Sequence, residues 1–186
     1  MTQPTGLKGQ LVEETINMVS AGEGEPSLRE LAKRLGVSAM ALYRHFPNKA
    51  ALLEAVIQAG FEMLRAELEK ADTSAENEAA LVAQGMAYVN FATTRPQLFR
   101  LMFGGENSVQ AQLPAREGAY IVMMQRIERA SRSPVPGAAL ACWAVVHGLA
   151  ILQIDRQRGL QNQEIQQALE IVVRGALRGS APPEGQ

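Results

Sequence analysis

The sequence predicts an all-α protein in which an N-terminal three-helix helix-turn-helix unit is joined by a long helix to a C-terminal helical bundle. Three observations carry this reading. Almost no stretch alternates with period two, whereas apolar residues recur at helical spacing throughout. Two short helical patterns flank a glycine at position 36. A single apolar stripe then runs from Leu52 to Leu68 without a break. The chain of 186 residues, 47% hydrophobic and 20% charged, is long and apolar enough to bury a core, which excludes disorder as its main state. Its one cysteine, Cys142, forms no internal disulfide, and its two histidines exclude a histidine-rich metal site.

Leu7, Leu11, Val12, Thr15, Ile16 and Val19 mark one face of a first helix, which Gly22, Gly24 and Pro26 end. Ser27, three residues before Glu30, is a capping-box signature, and Leu28, Leu31, Ala32 and Leu35 give the second helix its buried face. Gly36 stops that helix, because glycine adopts the left-handed conformation at least cost. Ser38 is the expected N-cap of a third helix, with Val37 and Leu42 as a hydrophobic staple, and Pro47 breaks it. Asn48 caps a long helix over 48–70. Further helices are expected at 75–94, 96–103, 108–131, 135–154 and 162–178. The tail Ser180–Gln186, with two prolines and no apolar period, is expected to fray. Domain ranges follow: 1–49 for the helix-turn-helix, 50–72 for the connecting helix, 73–179 for the bundle, and 180–186 for the tail.

The N-terminal stretch Met1–Gly9 has no apolar run of the kind a signal peptide carries. Val135–Ile154 is apolar, but it begins with Pro136, includes His147 and owes five of its apolar positions to alanine, so it reads as a buried helix and not as a membrane span. A cytoplasmic protein without membrane partners is the expectation.

Charge separates the helix-turn-helix from an ordinary helical hairpin. The overall net charge of −1 is uninformative, but its distribution is not. Between Ser27 and Lys49, five basic residues (Arg29, Lys33, Arg34, Arg44 and Lys49) face Glu30 alone, a net +4 to which His45 can add. Residues 50–186 carry 12 basic and 14 acidic residues. A basic patch confined to a helix-turn-helix is the footprint of a DNA reader.

The run LRELAKRLGVSAMALYRHFPNKAALLEAV, residues 28–56, closely resembles the DNA-binding domain of the tetracycline-repressor (TetR) family of transcriptional regulators, and the resemblance covers roughly 7–68. It implies a homodimer that binds a palindromic double-stranded operator, with a C-terminal bundle for a small-molecule effector and for dimerisation. Leu42 and Phe46 form the core face of the third helix, which sends Tyr43 to the surface, where its phenol can donate to a phosphate. Ser27, Arg29 and Lys49 are the further candidates for backbone contact. By resemblance, bases are read from Ser38, Ala39, Met40, Arg44 and His45. Ala39 and Met40 depart from a polar reading surface and suit thymine methyl groups, whereas Arg44 suits guanine or phosphate.

Residues 95–104 (RPQLFRLMFG) and 142–152 (CWAVVHGLAIL) resemble the WHG-type C-terminal domain of one TetR subgroup, with Trp143, His147 and Gly148 as the signature. Trp143 and His147, four apart, share a helix face. With Phe91, Leu98, Met102, Phe103, Tyr120, Met123 and Met124 they are the candidate lining of an apolar pocket. Plain core packing is the competing reading for each. The helix over 135–154, apolar nearly all round, and the helix over 162–178 are expected to form the dimer. Gly137, Ala141 and Ala144 would allow close approach, and Ile165, Leu169, Ile171, Val172 and Leu177 would supply a second stripe.

Catalysis is not expected, and neither is a cofactor. Cys142 and His147 point about 140° apart on one helix at 3.6 residues per turn, and no P-loop, GxSxG or HExxH motif occurs. The competing reading is a helical protein-binding adaptor without ligand control, for which the basic patch has no role.

Overall fold

The computed structural model describes residues 6–104, 114–131, 135–155 and 159–177. Among the described residues it is all α-helix: α1 Leu7–Ser20, α2 Leu28–Arg34, α3 Ala39–His45, α4 Lys49–Thr73, α5 Asn77–Thr94, α6 Pro96–Phe103, α7 Pro114–Ala130, α8 Ala138–Ile154 and α9 Asn162–Leu177. No helix among them is long and apolar enough to cross a membrane.

The local signals act as their chemistry requires. The backbone N–H of Glu30 donates to Ser27 Oγ at 3.2 Å, and that of Ala41 donates to Ser38 Oγ at 3.2 Å. Asn48 Oδ1 accepts from the backbone N–H of Ala51 at 2.9 Å, starting α4. Gly36 has φ of +65°, the left-handed turn between α2 and α3. Phe46 is extended at φ −134° and ψ 107°, as a residue before proline must be, and α3 stops there. At α8 the expected start at 135 moves to Ala138, because Gly137 takes φ of +82° and precedes the helix. Of the helix expected over 108–131, residues 108–113 lie outside the described residues, as does the tail from 180.

The chain forms two compact units, Met1–Phe61 with Arg95–Pro114, and Glu62–Thr94 with Ala115–Gln186. This division differs from the ranges expected from sequence: α6 groups with the N-terminal helices, and the border falls within α4. The reason is packing at long range. Helix α6 packs on α1. In place of a side chain at Gly60, α4 receives Met102, whose Sδ would lie 2.7 Å from a Cβ there. Phe103 meets the rings of Phe61 and Phe99 at 5.2 and 4.6 Å. Leu11, Leu31, Leu42, Leu52 and Phe99 complete that core.

In the second unit α5, α8 and α9 pack against one another. Leu169 of α9 fills the space that Gly85 leaves on α5; its Cδ atoms would lie 2.8 Å from a Cβ there. Asp72, near the end of α4, accepts two hydrogen bonds from Arg126 of α7, from Nε at 2.5 Å and from Nη2 at 2.7 Å. Arg126 Nη2 also donates to the Asp72 carbonyl at 3.0 Å. These bonds hold the Asp72 carboxyl below its ordinary range and raise the Arg126 guanidinium above its own.

Candidate functional site

The nine residues marked for DNA contact share one feature: Ser27, Arg29, Ser38, Ala39, Met40, Tyr43, Arg44, His45 and Lys49 are all exposed. Helix α3 is held to the core by Leu42, fully buried, with Phe46 buried just beyond it. The remaining face, with Ala39, Met40, Tyr43 and Arg44 at helical spacing, stands in water; Met40 is 70% exposed and Tyr43 47%. The capping serines keep a function to spare. Each accepts a backbone N–H through a lone pair, so its hydroxyl hydrogen remains available to an anion.

Electrostatically the patch is less free than its composition suggests. Arg34 pairs with Glu14 at 2.6 Å and with Glu23 at 2.5 Å, so it ties α2 to α1 and to the loop after it. The hydrogen bond from Arg34 lowers the Glu23 carboxyl below its usual range. Lys49 Nζ lies 2.9 Å from Glu25 Oε2 and donates to the Glu25 carbonyl at 3.3 Å. A phosphate would therefore have to exchange with Glu25. Among the described residues, Arg29, Lys33 and Arg44 are the cations of this segment without an ion pair. The +4 read from residues 27–49 omitted acidic partners that lie before residue 27.

The second unit contains a narrow apolar cavity of about 30 Å³ walled by α4, α5, α7, α8 and α9. Leu68, Leu81, Gln84, Tyr88, Met123 and Trp143 are among its walls. Of the residues expected around a pocket, the structure puts Met123 and Trp143 at this cavity, with two more one contact away. The Tyr120 ring meets Trp143 edge-on at 5.7 Å, and His147 Nδ1 shares a hydrogen bond of 3.0 Å with the Tyr88 hydroxyl. Tyr88 also meets Trp143 edge-on at 5.5 Å, so Trp143 and His147 do act from one helix face. Phe91, 1% exposed, and Met124 are not cavity walls. Leu98, Met102 and Phe103 belong to the other unit, where Leu98 and Met102 are core and the half-buried Phe103 packs on Phe61 and Phe99. Their spacing matched an apolar lining, but tertiary packing assigned them to α1 and α4.

Sequence reasoning missed Gln84, Tyr88, Asp72 and Arg126. Gln84 had a signal: it is the one side-chain amide in the otherwise apolar and aromatic run ALVAQGMAYV of α5. Cys142 is a cavity wall, and burial pushes its thiol upward, which keeps it protonated.

The apolar helix α8 buries Ala138, Cys142, Val146 and Ala150 at four-residue spacing. Its opposite face exposes Leu140 at 65% and Leu152 at 36%, with Ala141, Ala144 and Gly148 between them. The second stripe expected on α9 divides: Ile165 and Leu169 turn inward, while Ile171 is 71% exposed.

A short two-helix turn with an exposed outer row of Ala39, Met40, Tyr43 and Arg44, followed by an all-helical unit with an apolar cavity, is the arrangement of a helix-turn-helix regulator of DNA. Residues 22–56 match the family model for bacterial regulatory proteins of the tetR family, and residues 81–176 match the tetracyclin repressor-like C-terminal domain, across Trp143, His147 and Gly148. The chain belongs to the TetR family of DNA-binding transcriptional regulators. Its relatives include the nucleoid occlusion factor SlmA of Haemophilus ducreyi, 32% identical over 99 residues, 51% of this chain and 48% of that protein. The chain thus spans about half the length of the curated relatives it matches. Among solved structures, a protein of unknown function from Rhodococcus sp. RHA1 is similar at TM-score 0.77 and 26% identity, covering 95% of this chain and 98% of that one. A TetR protein of Acinetobacter baumannii AYE in complex with minocycline shares the fold at TM-score 0.64 and 20% identity, covering 94% and 98%.

Proposed function

We propose that this regulator is a cytoplasmic homodimeric repressor that binds a palindromic operator and is released by a small, mainly apolar effector. The observation that carries the reading is the outer row of α3. Ala39, Met40, Tyr43 and Arg44 are held in water by a helix whose other side is anchored through Leu42. Met40 gains nothing there from the free protein, and a thymine methyl in a major groove would bury it. Arg44 and His45 would read or brace the site, while Ser27, Arg29, Tyr43 and Lys49 would fix its register on the phosphates. The exposed face of α8 supports pairing of two copies, since an apolar patch of that kind marks an interface.

The effector reading rests on the cavity beside Trp143, and minocycline in the Acinetobacter protein is an instance of a ligand in a related fold. Leu68 of α4 is one of the cavity walls, and α4 begins at Lys49. A ligand that displaces Leu68 would act on the helix that carries Lys49, which is the coupling that release requires.

The test is selection of duplexes from a random pool. The reading expects a two-fold symmetric sequence whose half-site centres lie about 34–36 Å apart, or somewhat more. A panel of hydrophobic compounds is then screened for release. A second reading takes the role that the SlmA relatives are named for, nucleoid occlusion, without the small-molecule release proposed above. It expects no compound of the panel to weaken binding.

A further inference from the structure

We infer that the cavity of the second unit takes a slender, mainly apolar molecule with one neutral hydrogen-bond donor, and that the side-chain carbonyl of Gln84 receives that donor; this rests on the effector reading above. Gln84 is 3% exposed and is a cavity wall together with Leu81 and Tyr88 of the same helix. The orientation of its amide is decided by chemistry. Nε2 donates to Asp72 Oδ1 at 2.7 Å, and Asp72, held ionised by Arg126, has no proton to give back. The nitrogen must therefore face Asp72, and Oε1 must point away from it. There it has no partner among the described residues. A buried acceptor left unmade is a net cost to the fold, tolerated where something else satisfies it.

Water is a poor candidate for that role. A buried water is held by two to four polar partners, and Gln84 stands among walls that are otherwise mostly Leu, Val, Ala, Gly and Met. An apolar body with a single hydroxyl or N–H satisfies Oε1 and leaves no other polar group stranded. A charged group is disfavoured, because no wall residue carries a charge to offset it. At about 30 Å³ the free space is small, so the molecule must also displace a wall, and Met123 is the side chain with the rotatable bonds to yield.

Trp143, the only tryptophan, lies in the wall and reports occupancy by its fluorescence. The probes are 4-propylphenol and its near-isostere 4-propyltoluene, titrated into the full chain as wild type, Gln84→Leu and Gln84→Met. The unbranched Met variant keeps the comparison open if Leu does not fold. The expected result is at least tenfold tighter binding of the phenol by wild type, with that preference lost or reversed in the variants. Equal binding by wild type, or a preference that survives in the variants, overturns the role of Gln84 and leaves the apolar cavity standing. If neither probe binds any of the proteins, the effector reading fails with it.

Discussion

Tyr43 shows what a single side chain would contribute to the proposed DNA face. Nearly half of its surface is in water and it is not among the buried core residues, which leaves its side chain accessible to a partner. Tyr43→Phe is expected to weaken binding to all duplex sequences alike by about fivefold, the value of roughly one hydrogen bond, with an unchanged melting temperature. Lys49→Ala is expected to reduce the slope of log affinity against log salt by about one, as the loss of one phosphate contact does. Its exposed pair with Glu25 is worth at most about 1 kcal/mol, so stability should fall little. The placement of Tyr43 was legible in the sequence, because Leu42 and Phe46 fix which way α3 faces. The partner of Lys49 was not, since Glu25 lies 24 residues earlier and no local pattern joins them.

At the level of elements, caps and breaks were legible and membership was not. Ser27, Ser38, Asn48 and Gly36 act within four residues of themselves, and their chemistry is written locally. Helix α6 has a clear apolar face, but a face does not name its partner; the space at Gly60 and the rings of Phe61 and Phe99 do. The Asp72–Arg126 bond likewise joins α4 to α7 across 54 residues. Removing one side of this largely buried pair with Arg126→Met should cost about 3 kcal/mol, read from chemical denaturation. The pH dependence has a definite sign. The Asp72 carboxyl is depressed in the folded state, so its contribution is complete above the ordinary carboxylate range and is lost as pH falls through the folded value. The stability gap between wild type and Asp72→Asn should therefore be widest near neutral pH and close in acid. A gap that widened as pH fell would contradict the ionised pair.

Across the whole molecule, the two faces of α8 divide the labour. Its inner row, Ala138, Cys142, Val146 and Ala150, closes the bundle, and its outer row with the exposed Leu140 is the face proposed for a second copy. Light scattering at micromolar concentration is expected to show twice the 20.1 kDa of the chain. Leu140→Glu together with Ile171→Glu should yield the single chain, still folded, because neither residue is buried. The cavity beside Trp143 was only partly legible from the sequence. Trp143 and Met123 stood out as large side chains, whereas Gln84 is defined by a bond to Asp72 that no helical period encodes.

The central claim is that α3 docks on DNA through its exposed row, and the most direct measurement is affinity for the selected duplex over a salt series, for wild type and Arg44→Ala. Arg44 is exposed and has no ion pair among the described residues. The account expects log affinity to fall linearly with log salt, and Arg44→Ala to bind at least tenfold more weakly at every salt concentration, in line with about 1–3 kcal/mol for a base or phosphate contact of arginine. An affinity indifferent to salt and unchanged by Arg44→Ala would contradict it.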